Sequence, residues 1–228
     1  MTETSKNARI VGFWYLMLVF VGPLRLLYIP NKLFVHGDAA ATAANITAHQ
    51  TLFQLGIFAD AWGGVVLAVL ALAFYRLFKD VDRFQAWLLV ITGGIIPGAL
   101  YLVNTMNDAA ALMLIRGDDY LNVFTEAQRD ALAFFFIRLH FQAIVSAEVL
   151  WGVWLFPMAI LILKSRWFPR FLGWWLILDG MSWLIQSFAN MFLPAYVDAL
   201  FTWSMPFQLG EIAVTLWFLI MGAKEKKS

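Results

Sequence analysis

Long apolar stretches, set off by short charged ones, constrain this chain more than any other feature. The first runs from Ile10 to Ile29, and comparable stretches recur to the C-terminal end. About 20 apolar residues in a helix cross a bilayer core of roughly 30 Å. Within hydrocarbon a backbone must satisfy its own polar groups, so each stretch is expected to be a helix. The pattern predicts spans near 10–30, 52–76, 84–115, 130–163, 168–193 and 203–223. The expected fold is all-α: a polytopic bundle of six transmembrane helices forming one integral membrane domain over 1–228. Composition agrees. The chain is 62% hydrophobic and 14% charged, whereas soluble domains are about 45–50% apolar.

Several functions are excluded at this level. A net charge of +1 offers no basic surface for nucleic acid. With no cysteine, there are no disulfides, thiolate metal sites or cysteine nucleophiles. The first apolar run ends in Tyr28-Ile29-Pro30 without a small-residue cleavage site, so it reads as an uncleaved first span.

Lysine and arginine set the orientation. One side of the expected bundle collects Lys6, Arg9, Arg76, Lys79, Arg83, Lys164, Arg166, Arg170, Lys224, Lys226 and Lys227. The opposite loops hold only Lys32, Arg116 and Arg129. Eleven against three places both termini in the cytoplasm.

Local signals refine the picture. Asp38 precedes the Ala-rich run 39–44 as a natural N-cap, which predicts a short helix in the first outer loop. Thr125-Glu126-Ala127-Gln128 is a capping box that opens the fourth helix. In the third, Gly93-Gly94-Ile95-Ile96-Pro97-Gly98 predicts a kink, because Pro97 removes one helix hydrogen bond. The third and fourth spans exceed a bilayer's thickness and are expected to tilt or kink. Arg116-Gly117-Asp118 matches an integrin-type tripeptide by letters alone, and chance accounts for it.

The informative residues are polar ones inside the spans. Arg25, Asp60, Asp108, Arg138, His140, Glu148, Asp179 and Glu211 are ionisable, with Asn104, Asn107, Gln142, Gln186, Asn190 and Gln208 beside them. A charge at mid-membrane costs about 2.5–3.5 kcal/mol on insertion scales, so such groups face the bundle interior or a water-filled cavity. Helical spacing agrees: Asn104, Asn107 and Asp108 share a stripe, as do Asp179, Gln186 and Asn190, and Gln208 with Glu211. Gly56 and Gly63 flank Asp60 with small residues, as a close helix contact would. Most of these groups fall in the outer half of the bundle or near its middle. That predicts an acidic polar cavity open to the extracytoplasmic side, with Arg138 as the partner of a neighbouring acid. Arg25, nearer the interface, is expected to snorkel.

Three classes of function fit this pattern. The first is binding or passage of a small amphipathic molecule in the cavity. The second is an intramembrane enzyme on a lipid or isoprenoid-like substrate, acid-catalysed or metal-assisted. The third is a non-catalytic subunit of a larger membrane assembly. For a metal, His140 is the sole histidine within a span, His49 lies near the outer end of the second, and no H-E-x-x-H spacing occurs. The sequence names no cofactor.

Two segments resemble a known bacterial family. One is Gly37-Asp38-Ala39-Ala40-Ala41-Thr42-Ala43-Ala44-Asn45-Ile46 followed by Leu52-Phe53-Gln54-Leu55-Gly56-Ile57-Phe58-Ala59-Asp60. The other is Phe168-Pro169-Arg170-Phe171-Leu172-Gly173. Together they resemble the integral-membrane family catalogued as domain of unknown function 4386. The Ala-rich loop leading to a Gly-x-x-x-Asp helix is the most specific element, and His140 resembles a family position. The resemblance implies a fold and a location in the bacterial cytoplasmic membrane. It implies no activity.

Overall fold

A computed structural model describes residues 2–224, which are helical almost throughout, with no strand among the described residues. Five helical stretches are long and apolar enough to cross a membrane: Glu3–Leu33, Gln50–Phe78, Arg83–Arg116, Glu126–Ser165 and Pro194–Met221. The expected fifth span is the helix Arg170–Phe192, which has span length at 23 residues. Large apolar side chains line the outsides of these helices, among them Phe20, Phe58 and Met106, each about two-thirds exposed. In water that surface would be an aggregation hazard, and in a bilayer it is the solvent-facing side. The chain is a membrane protein.

The long helices are interrupted where proline removes a donor. The first consists of α1 (Glu3–Pro23), a wide π turn at Leu24–Tyr28, and α2 (Ile29–Leu33). Pro30 has no N–H to offer the carbonyl of Leu26, and the backbone instead closes a wider loop from the Ile29 N–H to the Leu24 carbonyl. The short helix expected after the first span is α3 (Ala39–Ala48), and α4 is Gln50–Phe78. The third stretch repeats the device, with a π turn at Ile91–Ile95 between α5 (Arg83–Val90) and α6 (Ile96–Arg116), just before Pro97. The fourth divides into α7 (Glu126–Val153) and α8 (Leu155–Ser165) at Trp154, where Pro157 cannot bond the carbonyl of Val153. Helices α9 (Arg170–Phe192) and α10 (Val197–Leu216) complete the chain.

Expected caps are in place. The Asp38 carboxylate accepts from the Ala41 N–H at 2.9 Å and opens α3. Thr125 and Gln128 exchange reciprocal side-chain-to-backbone bonds, 2.9 and 3.3 Å, at the start of α7.

The chain forms two compact units. One comprises Met1–Val19, Val65–Gly98 and Val145–Ser228. Its core combines aliphatic side chains with an aromatic cluster: Phe218 lies edge-on to Phe168, with ring centroids 4.8 Å apart, and Tyr15 lies edge-on to Trp154 at 5.4 Å. Here α7 and α9 approach so closely that a Cβ on Gly152 would lie 2.8 Å from the carbonyl oxygen of Gly180. The other unit comprises Phe20–Gly64 and Ala99–Ile144. It buries Ile29, Leu33, Ile46, Phe53, Leu112 and Ile137 together. Helix α3 is tied back in this unit by Asn45, whose amide donates to the Leu33 carbonyl at 3.3 Å, and by Thr42, which accepts from the Val35 N–H at 3.0 Å.

Candidate functional site

In the second unit, four helical segments deliver four ionisable side chains to one place. Arg25 comes from the π turn, Asp60 from α4, Asp108 from α6 and His140 from α7, and each is at most 3% exposed. Their spacing in the chain explains the meeting. Each lies about 8–15 Å from the same end of its expected span, at 1.5 Å per helical residue. Gly56, one turn before Asp60, opens the way for Arg25: a Cβ there would lie 2.9 Å from Ile29 Cδ1 and 3.8 Å from Arg25 Cδ.

The guanidinium is the hub. Arg25 Nε donates to Asp60 Oδ2 at 2.6 Å, and Nη2 donates to the Asp108 carboxylate. The same Nη2 lies 2.9 Å from His140 Nε2, which serves as acceptor in the matching tautomer. Imidazole and carboxylates are neighbours in turn, His140 Nε2 at 3.6 Å from Asp60 Oδ2 and His140 Nδ1 at 3.4 Å from Asp108 Oδ2. Asn104 fixes the backbone beneath, donating to the His140 carbonyl at 3.2 Å, and Asn107 donates to Asn104 Oδ1 at 2.9 Å.

Two properties separate this cluster from an ordinary buried ion pair. With both carboxylates ionised and the imidazole neutral, one positive charge faces two negative ones. In addition, Arg25 Nη1, Asp60 Oδ1 and Asp108 Oδ1 are buried and make no hydrogen bond among the described residues. An unpartnered buried polar atom costs about 1–3 kcal/mol, and more when the group is charged. Three such atoms lie together in this one cluster.

The remaining candidates divide between the units. In the second, Arg138 and Gln142 lie on exposed parts of α7. The expected roles of the two arginines are thus exchanged: Arg25 is the buried partner of the acids, and Arg138 faces outward. Arg25 lies in the π turn, whereas Arg138 lies on the regular helix α7. In the first unit, Tyr15 donates to Glu211, and the Glu211 N–H donates to Asp179 Oδ2 at 3.2 Å. Asn190 donates to Glu148 Oε2 at 2.6 Å. Gln186 donates to the Val197 carbonyl at 3.4 Å and Gln208 to Ser204 Oγ at 3.2 Å. No lysine, arginine or histidine forms an ion pair with these acids among the described residues.

A family model described as "Domain of unknown function (DUF4386)" matches residues 10–222. The chain belongs to that family. The match contains all four members of the Arg25 cluster and both segments that carry the resemblance. No curated protein and no solved structure matches the chain.

Proposed function

We propose that this DUF4386 protein binds or passes a small amphipathic molecule, whose polar end engages Arg25, Asp60, Asp108 and His140 while its apolar part stays among the membrane helices. The observation that carries this reading is the set of three buried, unpartnered polar atoms on Arg25, Asp60 and Asp108. A guest that supplies both a donor and an acceptor would satisfy them, and an apolar tail would let it reach the cluster from the bilayer. The reading includes six spans, with Arg170–Phe192 as the fifth, and both termini in the cytoplasm on the eleven-to-three distribution of lysine and arginine. On that orientation the cluster lies toward the extracytoplasmic side.

The test is native mass spectrometry of the full chain purified in mild detergent. Wild type is expected to carry a small amphiphile, and Asp60→Asn and Asp108→Asn are expected to lose it while their melting temperatures stay within a few degrees. An amphiphile retained by both variants would place it elsewhere and sink the assignment. Reporter fusions at the C-terminus check the orientation, and an extracytoplasmic signal there would reverse it.

A further inference from the structure

Asp60, Asp108 and His140 each offer one ligand atom, and these atoms lie within 4.8 Å of one another. From this geometry we infer that Asp60, Asp108 and His140 form a binding site for one divalent transition-metal ion, with Arg25 as the cation that occupies it in the metal's absence. Bonds of about 2.0–2.2 Å to oxygen and nitrogen put the ligands of a tetrahedral ion roughly 3.4 Å apart. One ion takes one imidazole nitrogen; Nε2 lies 3.6 Å from Asp60 Oδ2 and Nδ1 lies 3.4 Å from Asp108 Oδ2, so either nitrogen has one carboxylate at that spacing, with all three ligand atoms within 4.8 Å. Arg25 Nη2 bonds Asp108 and lies 2.9 Å from His140 Nε2, so a positive nitrogen already sits among the ligands.

Charge decides between a plain ion pair and a metal centre. The guanidinium cancels one of the two carboxylates, whereas a divalent ion cancels both. Asp60 Oδ1 and Asp108 Oδ1, buried and without partners, are available for a second bond from each carboxylate. Two carboxylate oxygens with one imidazole nitrogen suit zinc, manganese or ferrous iron, and three protein ligands leave the ion an open position. Once displaced, Arg25 keeps its charge beside that open position, where it would favour an anionic group on the ligand. This last point rests on the reading that the cluster admits an amphipathic guest. The metal site itself does not.

Arg25→Met makes the inference falsifiable, because it removes the competing cation and keeps the unbranched stem. The full chain, stripped with EDTA in detergent, is titrated with Zn2+ and Mn2+ by calorimetry, and with Co2+ by visible absorption. Wild type is expected to bind one ion per chain, with a Co2+ spectrum typical of mixed nitrogen and oxygen ligation. His140→Ala and Asp108→Asn are expected to weaken binding by more than about 100-fold, beyond the loss of an outer-shell partner. Arg25→Met is expected to bind at least about tenfold tighter than wild type, since a nearby positive charge repels the ion. Its melting temperature is expected to rise more with metal than that of wild type. The inference is overturned if neither wild type nor Arg25→Met binds an ion stoichiometrically. It is also overturned if binding survives both His140→Ala and Asp108→Asn. Loss of the metal with the co-purified amphiphile retained would remove this inference alone. Metal bound by a chain that carries no amphiphile would leave the centre standing and remove the functional reading.

Discussion

Replacing Arg25 by methionine is the most exacting test of how the polar cluster is held. The substitution keeps the stem that runs beside Gly56, where Arg25 Cδ lies 3.8 Å from the position of an added Cβ. What it removes is the guanidinium that bonds Asp60 at 2.6 Å, Asp108 and His140. Breaking a buried ion pair by removing one partner costs about 3–5 kcal/mol, because the other charge stays buried and uncompensated. Here two carboxylates are stranded, and each is at most 3% exposed, so water offers no screening. For a chain of this length that destabilisation corresponds to a fall in melting temperature of about 6–20 °C. The assay is thermal unfolding in detergent with EDTA, followed by intrinsic fluorescence, for which the chain has eleven tryptophans. Arg25→Met/Asp60→Asn/Asp108→Asn should recover more than half of the loss, since the stranded charges are then gone. Arg138→Met, on an exposed part of α7, should stay within about 0.5 kcal/mol of wild type. A single variant within about 2 °C of wild type, the scale of one surface change, or a triple variant no better than the single, would refute the reasoning.

Four further outcomes follow from local geometry. Gly152→Ala should cost about 1–3 kcal/mol, because its Cβ would meet the Gly180 carbonyl at 2.8 Å and backbone cannot move aside cheaply. Gly63→Ala, whose Cβ would have its nearest neighbours at 3.8 Å, should melt close to wild type. Asp38→Ala should cost about 1 kcal/mol and speed hydrogen exchange at the start of α3, where the Ala41 N–H loses its acceptor. The Lys164 ammonium, 2.5 Å from Asp82, and the Gln85 N–H hold the Asp82 carboxyl below the usual carboxylate range. Its contribution to the α5 cap is therefore complete above the ordinary value of 3.8 and is lost as pH falls through the lowered one. Exchange at the Gln85 amide should rise across that acidic window, and Lys164→Ala should move the rise to higher pH.

The elements were legible in the sequence wherever a local rule decides them. Asp38 with its Ala-rich run, Thr125 with Gln128, and the proline at 97 each specify a backbone feature within a few residues. Membership of the cluster was half legible. Asp60, Asp108 and His140 stand out as polar groups inside apolar helices, and a carboxylate or imidazole there has to find a partner. The identity of that partner was not legible from the periodicity of a regular helix. Near an interface, a long cationic side chain snorkels by default, so Arg25 reads as an anchor and Arg138, deeper along α7, as the counter-ion. The structure reverses the two, with Arg25 in the π turn buried and Arg138 on α7 exposed. Depth was a partial signal for Arg25, which lies within the same range of about 8–15 Å from its span's end as the three groups it joins. Pro157 is a second case: its missing donor divides α7 from α8 at Trp154, although the surrounding residues are strongly helical in pattern.

The π turn itself poses a question of cause, since two agents favour it. Pro30 removes the hydrogen bond that an α-helix would make to the Leu26 carbonyl, and Arg25 bonds its partners only while the turn is wide. In Pro30→Ala the missing donor returns, and closing the α-helical bond would gain about 0.5–1.5 kcal/mol. Closing it would also delete one residue from the turn and rotate the residues before it by about 100° around the axis, given 3.6 residues per turn. That rotation takes Arg25 away from Asp60 and Asp108, at a cost of about 3–5 kcal/mol. The larger quantity wins. Pro30→Ala alone should therefore keep the π turn and melt near wild type. In the Arg25→Met background nothing opposes closure, and the same substitution should stabilise by about 1 kcal/mol or more. The difference between the two backgrounds is the coupling energy of a double-mutant cycle. A coupling near zero, with Pro30→Ala equally stabilising in both, would mean that the proline alone sets the turn and that Arg25 follows the backbone rather than holding it.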